Sequence, residues 1–321
     1  MAHSVPLLSA RRLRRLTLWT FLASTASVAA LCAAAVIAAP SVSGLTVRVD
    51  RFAHAHHAAV LPLTDDSPLL REAIVATEDE RFFHHGGLDL IGLLRAIPYD
   101  ISHLSAAEGA STIQEQLAKI LYLGGRDHSP WHKAVDMAAA LRLGAGYSHR
   151  RVLADYLDVA YFGEGRYGAV AASEHYFQRS ARRLDLAQAS LLAGLVQAPS
   201  LYDPVRDPSA ARRRQVDVLR SMIRNGYITT DAARAVLGRP LRLATGTELP
   251  ALRNVPLSTG PPFNWAELTF AGLLLALAVC AAQLAKRLRN GRTGRLRILR
   301  LAPAPLIIAA LFAAAHSIQV L

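Results

Sequence analysis

A glutamate and a short cation-bearing segment are the residues of this chain best placed to do chemistry. The glutamate opens Glu78-Asp79-x-x-Phe82-x-x-His85-x-Gly87, and the segment is Gly109-Ala110-Ser111-Thr112-Ile113-Gln114-Glu115-Gln116-Leu117-Ala118-Lys119. Leu70, Ile74 and Glu78 fall four residues apart, which puts the acid on the apolar stripe of a helix. Glu78 also lies near the C-terminal end of that helix, where the macrodipole disfavours an anion. Both effects favour the neutral acid and raise its pKa, which suits a group that must accept a proton near neutrality. A glutamate pairing locally with Arg81 fits the same spacing. Asp79, Phe82, His85 and Gly87 read as the turn that supports it. In the second segment Ser111 and Thr112 can cap a helix, and Thr112-x-x-Glu115 fits a capping box. Ile113, Leu117 and Ile120 make a buried stripe, whereas Thr112, Gln116 and Lys119 share a separate polar face. A capped helix start with a lysine can receive a phosphate. An ordinary amphipathic helix with a solvated face fits the pattern equally.

The elements that position these residues are mainly helical. Ser67-Pro68, Ser129-Pro130 and Ser148 each read as a helix start, with a capping serine and, in two cases, proline in the first turn. The second of these helices runs to Gly144-Ala145-Gly146, and the third carries Val152, Tyr156 and Ala160 in register. Leu184 to Val196 is a further apolar helix, and residues 208 to 238 form a final helical pair. Residues 45 to 53 read as the one short strand. His84-His85 and His54-x-His56-His57 lack a carboxylate or cysteine at ligand spacing, which argues against a structural metal site there.

The 321 residues are 52% hydrophobic, and three uncharged or nearly uncharged runs account for that excess. Thr17 to Ala39, residues 264 to 285 and Leu301 to Leu321 are each about 20 residues long, the length that crosses a hydrocarbon core as a helix. Arg11, Arg12, Arg14 and Arg15 precede the first run, and Lys286 to Arg300 carries seven cations between the other two. The excess of cations places both clusters in the cytoplasm. The expected organisation is a basic tail at 1–16, a transmembrane helix at 17–39, an outer domain at 40–244 and a linker at 245–263. A transmembrane helix at 264–285, a basic loop at 286–300 and a last transmembrane helix at 301–321 follow. A cleaved signal is the alternative for the first run, since Ala38-Ala39-Pro40 could be processed. Eleven of the 36 basic residues sit in the two clusters, so the outer domain is nearly neutral. The pI of 10.4 therefore reports topology and anionic lipid, not nucleic acid. Both cysteines, Cys32 and Cys280, fall in the apolar runs, so the outer domain uses no disulfide and no thiol chemistry.

Two further stretches follow the first two in a fixed order. They are Tyr156-Leu157-Asp158-Val159-Ala160-Tyr161-Phe162-Gly163-Glu164-Gly165 and Leu191-Leu192-Ala193-Gly194-Leu195-Val196-Gln197-Ala198-Pro199-Ser200-Leu201-Tyr202-Asp203-Pro204. In this order the four resemble the motifs of the peptidoglycan glycosyltransferases, glycosyltransferase family 51, over roughly residues 50 to 235. The resemblance implies a mainly α, lysozyme-like domain beside the bacterial cytoplasmic membrane, on its outer side, that polymerises lipid II into glycan strands. It implies Glu78 as the general base and Asp136 at the position of a second essential acid, on the diphosphate or its metal ion. Ser111, Thr112, Gln116, Lys119, Arg126 and Lys133 match positions that bind the donor and its diphosphate, and Asp79, Phe82, His85 and Gly87 match the rest of the base motif. A divalent ion, Mg²⁺ or Mn²⁺, is implied with the diphosphate. The implied partners are lipid II, the nascent strand, the membrane and other cell-wall synthesis proteins.

The chain departs from that pattern around the diphosphate. Asp136 stands where the family has glutamate, Glu115 replaces the first glutamine of a pair, Ile120 replaces asparagine, His132 replaces arginine, and Gly144 takes a usually acidic position. A weakened or inactive relative that binds lipid II or glycan as a scaffold is the second reading these departures support. A glycan-cleaving enzyme with one catalytic glutamate is the third, and the Ser111 to Lys119 segment argues against it because glycan cleavage handles no diphosphate.

Overall fold

The computed structural model describes residues 10–60, 67–92, 111–124 and 129–257, with the side chains of residues 10–18, 21 and 130 excepted. Arg126, the second and third apolar runs and the basic loop between them lie outside these residues. The chain divides into two compact units, Met1–Ser258 and Thr259–Leu321, and the first is the one described.

Local capping starts most of its helices. The order is α1 (Ala10–Ala38), α2 (Leu45–Ala55), α3 (Pro68–Glu78), α4 (Ile113–Ala118), α5 (Pro130–Gly146), α6 (His149–Val159), α7 (Ala169–Phe177), α8 (Leu186–Leu195), α9 (Pro208–Arg224) and α10 (Thr230–Leu237). Strand β1 (Leu241–Arg242) then pairs antiparallel with β2 (Glu248–Leu249). The side chains of Ser67, Ser129 and Ser148 accept from the backbone N–H groups of Leu70, His132 and Arg151, as the sequence predicts. Asp185 and Gln188 form a reciprocal capping box on α8. The α4 helix passes directly into a π-helical turn, Lys119–Leu123.

The strand expected at residues 45 to 53 is instead α2. Its β-branched residues alternate, but Leu45, Val49 and Ala53 recur every four residues and are the positions that are buried. Packing of that stripe overrides the local preference for a strand.

The centre of the domain is α8, whose residues 188–195 are all buried. A helix apolar on every side has to be enclosed, and α3 and α9 pack against it. Gly194 lets α9 come close: a Cβ there would lie 3.1 Å from Cγ of Arg214. Arg212, on the same helix, is fully buried. It donates to the carbonyls of Pro250 (3.0 Å), Val236 (3.0 Å), Leu237 (3.1 Å) and Arg239, and so ties the end of α10 to the chain after β2. Burial lowers its pKa to about 10. The first part of the tract that reads as a linker packs here, since Leu249 and Leu257 are buried.

At the other end, α1 is joined to α5. Arg142 donates to the carbonyls of Val36 (2.7 Å), Ala39 and Pro40 (3.0 Å), which fills acceptors left open by the last turn of α1. Tyr122 and Tyr147 both donate to the Val42 carbonyl just beyond. No helix among the described residues is long and apolar enough to cross a membrane.

Helix α5 also lies against the Gly86-Gly87 turn. A Cβ on Gly144 would overlap the Gly86 carbonyl, and one on Gly87, whose φ is 153°, would sit 2.6 Å from the Ala140 carbonyl oxygen. The glycine at this usually acidic position is therefore a packing requirement of this chain. Replacing Gly144 by alanine is expected to cost about 3 kcal/mol of stability through overpacking, read as a lower thermal midpoint of the purified protein.

Candidate active site

Glu78 is the last residue of α3, and its side chain is 10% exposed. Gln116, from α4, donates to Oε2 at 3.0 Å. The orientation of that amide is set from behind, because the buried Tyr156 hydroxyl donates to Gln116 Oε1 at 2.7 Å. Arg214, from α9, stands 3.8 Å from Oε1 of Glu78, with its guanidinium 5.7 Å from the centre of the Tyr202 ring. The local pairing with Arg81 does not form, and Arg81 faces Asp89 at 3.4 Å instead. Burial raises the pKa of Glu78; the Gln116 hydrogen bond and the Arg214 charge oppose this without reversing it, and Asp79 adds to the rise. A carboxylate in this setting binds a proton more readily than an exposed one, while Gln116 and Arg214 keep its ionised form accessible.

Asp79 builds the support. Its carboxylate accepts from the Nε2–H of His85 at 2.8 Å and from the backbone N–H of Ile113 at 3.1 Å. The other His85 nitrogen, Nδ1, accepts from Gly87 N–H at 3.4 Å, which fixes the imidazole with its proton on Nε2. Thr112 donates to the Gly87 carbonyl at 2.8 Å and accepts from Glu115 N–H at 3.2 Å. Phe82 is buried, with His149 edge-on to its ring. Asp79, Phe82, His85, Gly87 and Thr112 thus lock α4 against the end of α3. At the start of α4 the Ile113 N–H is held by Asp79 and the Glu115 N–H by Thr112.

A second group of charges lies beside this one. Lys133, on α5, forms an ion pair with Glu115 and donates to the Ser111 hydroxyl at 2.8 Å. Burial raises the pKa of Glu115, opposed chiefly by Lys133; the Thr112 N–H expected from the capping box is a smaller influence. Burial likewise raises Asp136, against the pull of Lys119, Lys133 and His132. Lys119, Lys133 and Asp136 therefore share one electrostatic neighbourhood. Among the described residues no three metal-ligating side chains come together. Asp136 is the carboxylate of this group that could bind a divalent ion.

The residues that sequence reasoning missed as site components are Arg214, Tyr156 and Tyr202. The two tyrosines lie in motif stretches, but nothing in their local spacing shows that one orients Gln116 or that the other faces Arg214. Because the pKa of Glu78 is raised in the folded protein, its contribution to stability is full below the unfolded value near 4.5 and is lost as pH rises through the folded value. The melting temperature of Glu78→Gln relative to wild type is accordingly expected to rise as the pH is taken from about 4 to about 8, whereas a flat difference would refute the raised pKa.

Comparison with known proteins matches residues 46–223 to a family model described as Transglycosylase. A protein of Cupriavidus necator named as a transglycosylase is 36% identical over 219 residues, covering 67% of this chain and 91% of that one. Penicillin-binding protein 1F of Bacillus subtilis is 37% identical over 54% of this chain, and penicillin-binding protein 1B of Haemophilus influenzae 36% over 56%. The match spans 24% of each of these two longer relatives. A solved penicillin-binding protein 1A from Haemophilus influenzae aligns over 58% of this chain and 18% of its own at 21% identity, with a TM-score of 0.34, too low to bear on the fold. The family model covers more than half of the chain and the Cupriavidus relative is matched over nearly its whole length, so the chain belongs to the transglycosylase family, the peptidoglycan glycosyltransferases.

Proposed function

We propose that the protein polymerises lipid II into peptidoglycan glycan strands from the outer side of the bacterial cytoplasmic membrane, releasing undecaprenyl diphosphate. The observation that carries this is Glu78: a nearly buried carboxylate of raised proton affinity, oriented by Gln116 and faced by Arg214, next to a lysine-bearing polar cluster. In the step we infer, Glu78 takes the proton from the 4-hydroxyl of the incoming lipid II. The freed oxygen bonds to C1 of the growing chain's terminal sugar, and the bond from C1 to the diphosphate breaks. The electron pair leaves with the undecaprenyl diphosphate, whose charge Lys119 and Lys133 are placed to offset. Ser111 adds a hydroxyl beside Lys133. Mg²⁺ or Mn²⁺ bound with the diphosphate would supply further charge neutralisation, and Asp136 is this chain's carboxylate for it. Arg126 belongs to the same proposal by its match to the family motif. The apolar run at 17–39 would anchor the domain, and the runs at 264–285 and 301–321 would add a second attachment.

A scaffold that binds lipid II without polymerising it remains a second reading, because Lys133 is already engaged by Glu115. Polymerisation of labelled lipid II by the detergent-purified full-length protein separates the two. With an active protein, Glu78→Gln is expected to lower turnover by at least about 10²-fold, the scale of losing a general base, while lipid II binding is retained. Polymer made at the wild-type rate by Glu78→Gln would remove Glu78 from the base role. Binding without polymer in the wild type would leave the scaffold.

A further inference from the structure

Glu115 forms an ion pair with Lys133, one of the two lysines that the proposed reaction uses. Its side chain is 6% exposed, whereas that of Lys133 is 45% exposed, so a buried carboxylate holds a lysine that otherwise reaches solvent. The lysine is also held by the Ser111 hydroxyl on the same side. Asp136 stands close enough to feel the charges of Lys133, Lys119 and His132. Counting formal charges with the histidine neutral, the two lysines are balanced by Glu115 and Asp136. A diphosphate arriving at these described residues would meet two lysines already balanced by two acids, with the more exposed ammonium, that of Lys133, engaged by Glu115.

We propose that Glu115 sets the affinity of the diphosphate site: its carboxylate acts as an internal anion on Lys133, and an incoming diphosphate has to displace it. This rests on the reading that Lys133 receives the diphosphate. The exchange works in both directions. Glu115 weakens capture of the donor, and it reclaims Lys133 as the diphosphate departs, which favours release of the leaving group. A glutamine at this position would keep the shape and a hydrogen-bonding oxygen but surrender the charge, so the lysine would pass to a diphosphate at lower cost.

The test is calorimetric titration of inorganic pyrophosphate into the full-length protein in detergent, comparing wild type, Glu115→Gln, Lys133→Met and the double variant, each first shown to melt cooperatively. Glu115→Gln is expected to tighten pyrophosphate binding about tenfold, the scale of removing one opposing charge from a partly buried site. Lys133→Met is expected to weaken binding, and in the double variant the gain from Glu115→Gln should vanish. The proposal is overturned if Glu115→Gln binds pyrophosphate as the wild type does or more weakly while Lys133→Met still loses binding, because Glu115 would then only hold Lys133 in place. If Lys133→Met binds as tightly as wild type, the reading of Lys133 as the diphosphate's partner fails, and the role of Glu115 fails with it.

Discussion

The Asp79 carboxylate is the joint on which the site depends. It is buried, so leaving it unpaired would be costly, and its partners come from two different parts of the chain. His85 satisfies it from the turn after α3, and the Ile113 N–H satisfies it from the start of α4. Once those bonds are made, α4 can begin in only one place relative to the end of α3. Gln116, one turn along α4, then falls within hydrogen-bond reach of Glu78. The adjacent acids have opposite duties: Asp79 spends its charge on architecture, and Glu78 keeps its own for chemistry.

The environment of Glu78 is a balance in which burial prevails. An isolated ion in that position would be strongly disfavoured, and the surrounding groups reduce the penalty without cancelling it. Arg214 remains 3.8 Å away, farther than in a close ion pair, so it biases the carboxylate without clamping it. Gln116 is the closer partner, and Tyr156 settles which end of its amide Glu78 meets. A close arginine fork would hold the carboxylate ionised and make it a poor base. The arrangement avoids that by placing a neutral donor nearest and the charge one step farther off.

Much of this was legible in the sequence where the physics is local. Ser67, Ser129 and Ser148 announce their helices because a cap needs only its own next three residues. The Leu70, Ile74, Glu78 stripe announces a buried acid for the same reason. What failed to show is what the tertiary structure decides. Thr46, Val47 and Val49 resemble a strand until the buried positions are known. Arg214 lies in an arginine-rich run, and only Gly194 on the facing helix explains why that member reaches Glu78. Glu115 fits a capping box by spacing, yet its dominant partner is a lysine from the next helix. The glycine at 144 looks like a lost acid, whereas the fold has a backbone turn where any side chain would be.

The junction between α1 and α5 reads main chain. Arg142 grips carbonyl oxygens of Val36, Ala39 and Pro40, and every residue type carries such an oxygen. These hydrogen bonds therefore do not depend on residue type, although the buried Ala35 of α1 and Ala39 beside it still have to stay small. Exposed positions of that helix can change without touching the hydrogen bonds through which it meets α5. Lys133 and Asp136 ride on the same α5, so the bearing of the charged cluster relative to α1 is inherited in part through main-chain bonds that a change of side chain at Val36 does not erase.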